Sequence, residues 1–209
     1  MNKIIYRELL KDDYDKIKEL INEAFGFGKI VKDKKFLDKV LTIYLEDCIV
    51  ASSFSKVAVK NNEIIGIILG DCKNDNNKLK KFHNILSLAL NTIKLSFSSK
   101  ENKLYLKEFS KITQTYKELI SGKESNFQGC IQLFIVTEKC RGLGIGKALI
   151  KYACDYMKTM NVKSIYLYTD TICNYGFYDS QNFNRLAEKE IYFNSLNSTL
   201  NIFLYGYTF

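Results

Sequence analysis

Apolar positions recur along this chain with two periods, about 3.6 residues in some stretches and two in others, and the order of those stretches predicts its elements. Lys3 to Leu9 reads as a strand. Asp12 or Asp13 is placed to cap a following helix in which Ile17, Leu20, Ile21 and Phe25 form one stripe, and Gly26 and Gly28 end it. Phe36, Leu37, Val40, Leu41, Tyr44 and Leu45 repeat at the same spacing and predict a second helix. The β-prone runs SKVAVK and EIIGIILGDC then flank Asn61-Asn62, the signature of a hairpin.

Two further helical stripes follow, through Phe82, Leu86, Leu90, Ile93 and Phe97 and through Tyr105, Phe109, Ile112, Tyr116 and Leu119, separated by a polar break at Ser98 to Asn102. They predict an inserted helical hairpin over 79–120. After it come a buried-type strand, IQLFIV, a glycine-rich loop, RGLGIG, and a helix over Lys147 to Met160. SIYLYTD predicts a strand, Asn174 to Gln181 a short helix, and LAEKEIYF and LNIFLYGYTF an antiparallel pair. With no proline and no internal repeat, nothing marks a linker, so the expectation for 1–209 is one domain carrying the insertion.

Charge alters this picture in one place. Of the net +8, segment 73–125 contributes about +6, with eleven Lys against five acids. The excess reads as the solvated outer face of amphipathic helices or as a surface for an acidic partner. No nucleic-acid recognition motif is legible and the Lys are interleaved with acids, so no nucleic-acid partner is expected. No run reaches the roughly 18 apolar residues of a membrane span, and the start turns acidic where a signal peptide would be apolar; the expectation is a cytoplasmic protein with no membrane partner. Six scattered cysteines without a CxxC pair, and His83 as the one histidine, predict free thiols and no metal site.

The sharpest chemical signal is Arg141, Gly142, Leu143, Gly144, Ile145 and Gly146 between the buried strand and the amphipathic helix. Glycines there let main-chain N–H groups converge on an anion at a helix N-terminus. A Walker A loop would need Gly in place of Arg141 and Ser or Thr in place of Ala148, and a GxGxxG loop would need Gly in place of Lys147, so both fail in register.

Arg141, Gly144 and Gly146 do satisfy the pattern Arg/Gln-x-x-Gly-x-Gly/Ala, and LFIVTEKCRGLGIGKALI with CNYGFYDSQNF downstream resembles the GCN5-related N-acetyltransferase (GNAT) superfamily. Phe177, Tyr178, Asp179 and Phe183 take the places of the second motif; Asn182 stands where the family has Gly, and Thr171 where many members have Asn. The resemblance implies an α/β (α+β) fold with a central, mostly antiparallel sheet flanked by helices, into which the hairpin is inserted. It implies acetyl-CoA as acyl donor and a small-molecule or peptide amine as acceptor. The main chain of Phe134, Ile135 and Val136 would hold the pantetheine arm. Arg141, Gly142, Leu143, Gly144, Ile145, Gly146 and Lys147 would hold the pyrophosphate, and Tyr178 would face the CoA sulfur.

Direct acetyl transfer needs a neutral amine and a donor for the departing thiolate. A phenol near pKa ~10 suits the second need, which gives Tyr178 the catalytic role, with core packing as the alternative reading. For the base, Glu138 is close in sequence to the loop and Asp170 ends the next strand, but an exposed or capping carboxylate is the commoner reading of each and the sequence assigns neither. His83 and Cys173 would have to serve any covalent route, His83 reading instead as a surface or interface histidine and Cys173 as an inert thiol. Phe25, Phe27 and the segment to Asp33 read as one wall of the acceptor side. The hairpin is either a second wall or an arm for a homodimer. A catalytically silent acetyl-CoA-binding domain and an interaction protein built on the hairpin are the competing classes.

Overall fold

A computed structural model describes residues 3–75, 82–96 and 98–209. Residues 79–81 of the expected hairpin, Phe97, and the side chains of Phe82 and His83 lie outside what is described.

Strand β1 (Ile5–Arg7) leads to helix α1 (Tyr14–Phe25). Asp13 precedes α1 without capping it. Its carboxylate instead accepts the Leu10 N–H at 2.8 Å and both Arg7 guanidinium nitrogens at 2.7 Å, so the predicted cap is an anchor for β1. Gly26, at φ 68°, ends α1 as expected, and a helical turn, α2 (Phe27–Ile30), follows at once. Asp33 caps α3 (Lys34–Val50) by accepting from Lys35 and Phe36. That helix runs past Leu45 because Glu46, Cys48 and Ile49 are also buried.

Strands β2 (Phe54–Lys60) and β3 (Glu63–Cys72) join through Asn61 and Asn62, both at positive φ, as the right-handed twist of a two-residue hairpin demands. Helices α4 (Phe82–Ser96) and α5 (Lys100–Ile120) come next; Ser99 caps α5 and shortens the predicted break. Strand β4 (Gly129–Val136), helix α6 (Ile145–Thr159), strand β5 (Ser164–Asp170), helix α7 (Gly176–Ser180), and strands β6 (Asn184–Phe193) and β7 (Ser198–Thr208) complete the chain.

The strands form one seven-stranded sheet in the order β1-β2-β3-β4-β5-β7-β6, antiparallel except for β4 and β5, which α6 connects. Helices α6 and α7 cover one face, where Ile145, Leu149, Ala153 and Met157 meet Ile68, Ile131, Ile165 and Leu167. On the other face, α1 and α3 bury Ile17, Ile21, Leu41 and Leu45 against Ile67, Leu69, Leu133 and Ile135. Leu119 and Ile120 of α5 lie on that face too, against Ile191, Leu200, Ile202 and Leu204 of the last hairpin. Each such aliphatic side chain, fully buried, contributes about 1.5–3 kcal/mol. Leu95 of α4 packs on Val31, Phe36 and Val40. Both inserted helices therefore lie on the molecule's own elements. Among the described residues no helix is long and apolar enough to cross a membrane.

Candidate active site

The site begins with a failure of pairing. Strands β4 and β5 pair at Gly129↔Ile165, Cys130↔Tyr166 and Ile131↔Leu167, and there the pairing stops. Beyond it, Phe134, Ile135 and Val136 keep only their β3 partners, while Tyr168, Thr169 and Asp170 keep only β7. The Thr137 N–H donates to the Ile65 carbonyl at 3.0 Å, which makes 137 and 65 a hydrogen-bonded pair. Alternation along an antiparallel ladder then commits the main chain of Ile135 to β3 and turns the N–H and C=O of Phe134 and Val136 toward the gap. Two of the three predicted strand residues thus present main-chain groups to the opening, and the third does not.

The glycine loop stands at the head of α6. Gly142 and Gly144 have φ values of 82° and 75°, and no atom lies within 4 Å of where a Cβ would stand on either. Gly144 is the N-cap, and the first helical bond runs from the Ala148 N–H to its carbonyl at 3.0 Å. The N–H groups of Ile145, Gly146 and Lys147 therefore have no partner within the helix, and they sit at its positive end. Ile145 is buried and anchors the loop, whereas Arg141, Leu143 and Lys147 are exposed. Arg141 pairs with Glu138 at 3.0 Å, both side chains mostly in solvent.

Tyr178 lies between these features. Its ring packs among Phe134, Phe177, Phe183 and Tyr205 at centroid distances of 5.6–6.2 Å. Among the described residues no hydrogen bond reaches its hydroxyl. Burial pushes its pKa up, and the neighbouring Cys173, Asp170 and Tyr116 push in the same direction. The main chain that carries it turns back at Asn182, whose φ of 62° shows asparagine adopting the left-handed conformation expected of the family's glycine. Thr171 is turned to β7, its hydroxyl accepting the Asn201 N–H at 3.4 Å.

Sequence reasoning missed a convergence on the opposite wall. Tyr44 of α3 and Tyr116 of α5 have their pKa values raised chiefly by burial, and each also feels Asp170 and Cys173. Yet Tyr44, Tyr116, Asp170 and Cys173 all keep partial solvent exposure. All four therefore gather at the crevice that the parting of β4 and β5 opens. Asp170 ends β5 with one carboxylate oxygen accepting the N–H groups of Ile172 and Cys173, and makes no ion pair among the described residues. Burial and that carboxylate push the Cys173 thiol up to about 12, which leaves it protonated and a poor nucleophile. A polar atom on the apolar stripe of each of two helices was the available signal for Tyr44 and Tyr116.

A mostly antiparallel sheet, opened at its parallel pair and with a helix N-terminus at the opening, defines the class: an N-acetyltransferase. The model of the acetyltransferase (GNAT) family matches residues 14–183, and the chain belongs to that family. A search of curated proteins finds no match. Among solved structures, the chain is similar to the PaiA N-acetyltransferase of Thermoplasma acidophilum in complex with coenzyme A (14% identity, 99% of each chain covered, TM-score 0.57). It is also similar to NAA60 of Arabidopsis thaliana in complex with a bisubstrate analogue (16% identity, 99% of this chain and 98% of that one, TM-score 0.55). Ard1 of Thermoplasma volcanium is a third (14% identity, 98% and 97% covered, TM-score 0.52). At these identities the likeness speaks to the fold.

Proposed function

We propose that this acetyltransferase takes its acetyl group from acetyl-CoA and transfers it directly to an amine, small-molecule or peptidic, in a ternary complex. The observation that carries the reading is the parting of β4 from β5 beside the unpaired amides of α6. Phe134 and Val136 offer the pantetheine amides the edge of a strand. The N–H groups of Ile145, Gly146 and Lys147, with the Lys147 ammonium, offer the pyrophosphate a positive cradle, and the open space over Gly142 and Gly144 leaves it room. Coenzyme A in the similar PaiA enzyme supports this donor.

Attack of the amine nitrogen on the thioester carbon releases a thiolate. Tyr178, kept protonated by burial, donates a hydrogen bond to that sulfur, and stabilising the developing charge matters more than complete transfer because the phenol is the weaker acid. Cys173 as a thiol takes no part as a nucleophile, which favours the one-step route. The six cysteines are free thiols, the state maintained in a reducing compartment, and this supports a cytoplasmic setting.

Thermal unfolding with acetyl-CoA, CoA, ATP and NAD tests the donor. A ligand at ~100 times its dissociation constant stabilises the fold by about 2.7 kcal/mol. Both CoA species should raise the midpoint of the wild type and neither should raise that of Gly144→Glu or Lys147→Glu; a folded wild type indifferent to both sinks the reading.

A further inference from the structure

The crevice has a second wall, and its chemistry differs from that of the loop. Phe25, Phe27 and Tyr44 form a triangle of rings with centroids 5.7–6.2 Å apart, and Phe109 of α5 meets Phe27 edge-on at 5.3 Å. Tyr116 of the same helix stacks on Tyr168 at 4.1 Å, and the Tyr168 hydroxyl donates to the Tyr116 carbonyl at 2.7 Å. Tyr168 and Asp170 share a face of β5, since side chains alternate along a strand. Aromatic rings from α1, α2, α3 and α5 thus form one cluster and Tyr116 with Tyr168 a second, the latter on the face of β5 that carries Asp170, whose charge both Tyr44 and Tyr116 feel.

Asp170 has no cation beside it among the described residues, so an incoming ammonium meets an opposite charge that is not already paired. The same ammonium gains from the faces of neighbouring tyrosines, whose rings attract a cation. The rings beyond offer apolar area to whatever carries the amine. A second negative charge on the acceptor would be repelled by Asp170, and the further charges of a polyamine would meet aromatic faces in place of carboxylates.

We infer that this wall is the acceptor subsite, and that it takes a primary amine borne on an aromatic or apolar body, the ammonium held by Asp170. The inference rests on the acetyl-transfer reading above. Of the three protons on the bound ammonium nitrogen, one passes through the Asp170 carboxylate to water, which frees the lone pair. The N–C bond forms, the C–S bond breaks, a second proton leaves the nitrogen for the departing thiolate while the Tyr178 hydroxyl stabilises its charge by a hydrogen bond, and the third stays on the amide. The products are the amide, the free thiol and one released proton.

The experiment is thiol release by the full chain with acetyl-CoA and, separately, phenethylamine, spermidine and glutamate. Phenethylamine should give a kcat/KM at least tenfold above the other two. In Asp170→Asn, whose amide oxygen still accepts the Ile172 and Cys173 N–H groups, the KM for phenethylamine should rise tenfold or more while the thermal shift from acetyl-CoA is retained. Phe27→Leu should raise the same KM severalfold without changing that for acetyl-CoA. Spermidine or glutamate as the better acceptor, no acceptor turned over by a protein that acetyl-CoA still stabilises, or an unchanged KM in both variants overturns the subsite alone. Loss of the acetyl-CoA shift in the wild type overturns the donor assignment with it.

Discussion

The ring of Phe177 lies 3.2 Å from where a Cβ on Gly146 would stand, so the first turn of α6 and helix α7 approach each other more closely than a Cβ would comfortably fit. Replacing Gly146 by Ala gains up to ~1 kcal/mol of helix propensity and makes the ring give way. Because Phe177 is half-exposed and rests on Phe134, at 5.5 Å, it can give, and the displacement is passed to the β4 edge. Gly146→Ala should leave stability within about 1 kcal/mol of wild type and raise the KM for acetyl-CoA, read from denaturation and initial rates on the same preparation.

Gly144 needs glycine for a different reason. Its φ of 75° costs other residues about 1–2 kcal/mol, less for Asn, and the space around it is open. Gly144→Ala should therefore lower stability by that amount and Gly144→Asn by less. Equal losses in urea titrations would mean that crowding, and not backbone conformation, selects glycine here.

Tyr178→Phe removes a hydroxyl without a partner among the described residues, so stability should hold. Turnover should fall by about 100-fold or more with little change in the KM for acetyl-CoA. The raised pKa adds a pH signature: buried phenols favour the fold fully below pH ~10, and that contribution is lost as pH climbs from there through the folded-state value. Rate against pH should show no loss from this phenol below pH ~10; intact turnover in the variant removes Tyr178 from the mechanism.

Asp13 sets an acid limit. Burial alone would raise its pKa, but the Arg7 guanidinium and the Leu10 N–H outweigh burial and hold it below the usual carboxylate range. Its contribution is present above the unfolded pKa of ~3.9 and is lost as pH falls through the folded value. Asp13→Asn should cost about 1–3 kcal/mol at pH 7, and the difference from wild type should shrink toward pH 3 in denaturation midpoints.

What was legible in the chain follows from how local each cause is. The Asn61-Asn62 hairpin, the Gly26 stop, the Arg141–Gly146 loop and the left-handed Asn182 are decided within a few residues, and each stands where the pattern put it. Asp13 was misread as a cap because its stronger partner, Arg7, belongs to the preceding strand. The end of α3 was set short because Cys48 and Glu46 gain their burial from distant segments, Cys48 lying against Gln132 and Glu46 against Asn91. The sequence treats Phe134, Ile135 and Val136 alike, whereas only the register with β3 shows that Ile135 is already engaged. Tyr44, Tyr116 and Asp170 are far apart in sequence, and nothing local announces that three elements bring them together.

The two walls of the crevice are made of different material. Toward the parted strands Phe134 and Val136 show backbone, and backbone is common to every residue except proline at its N–H; their side chains face α6 and α7 instead. Across from them stand rings and a carboxylate, each replaceable one codon at a time. Under the proposed assignment a substitution can rewrite one wall without touching the other, so the grip on one substrate is insulated from drift in the choice of its partner.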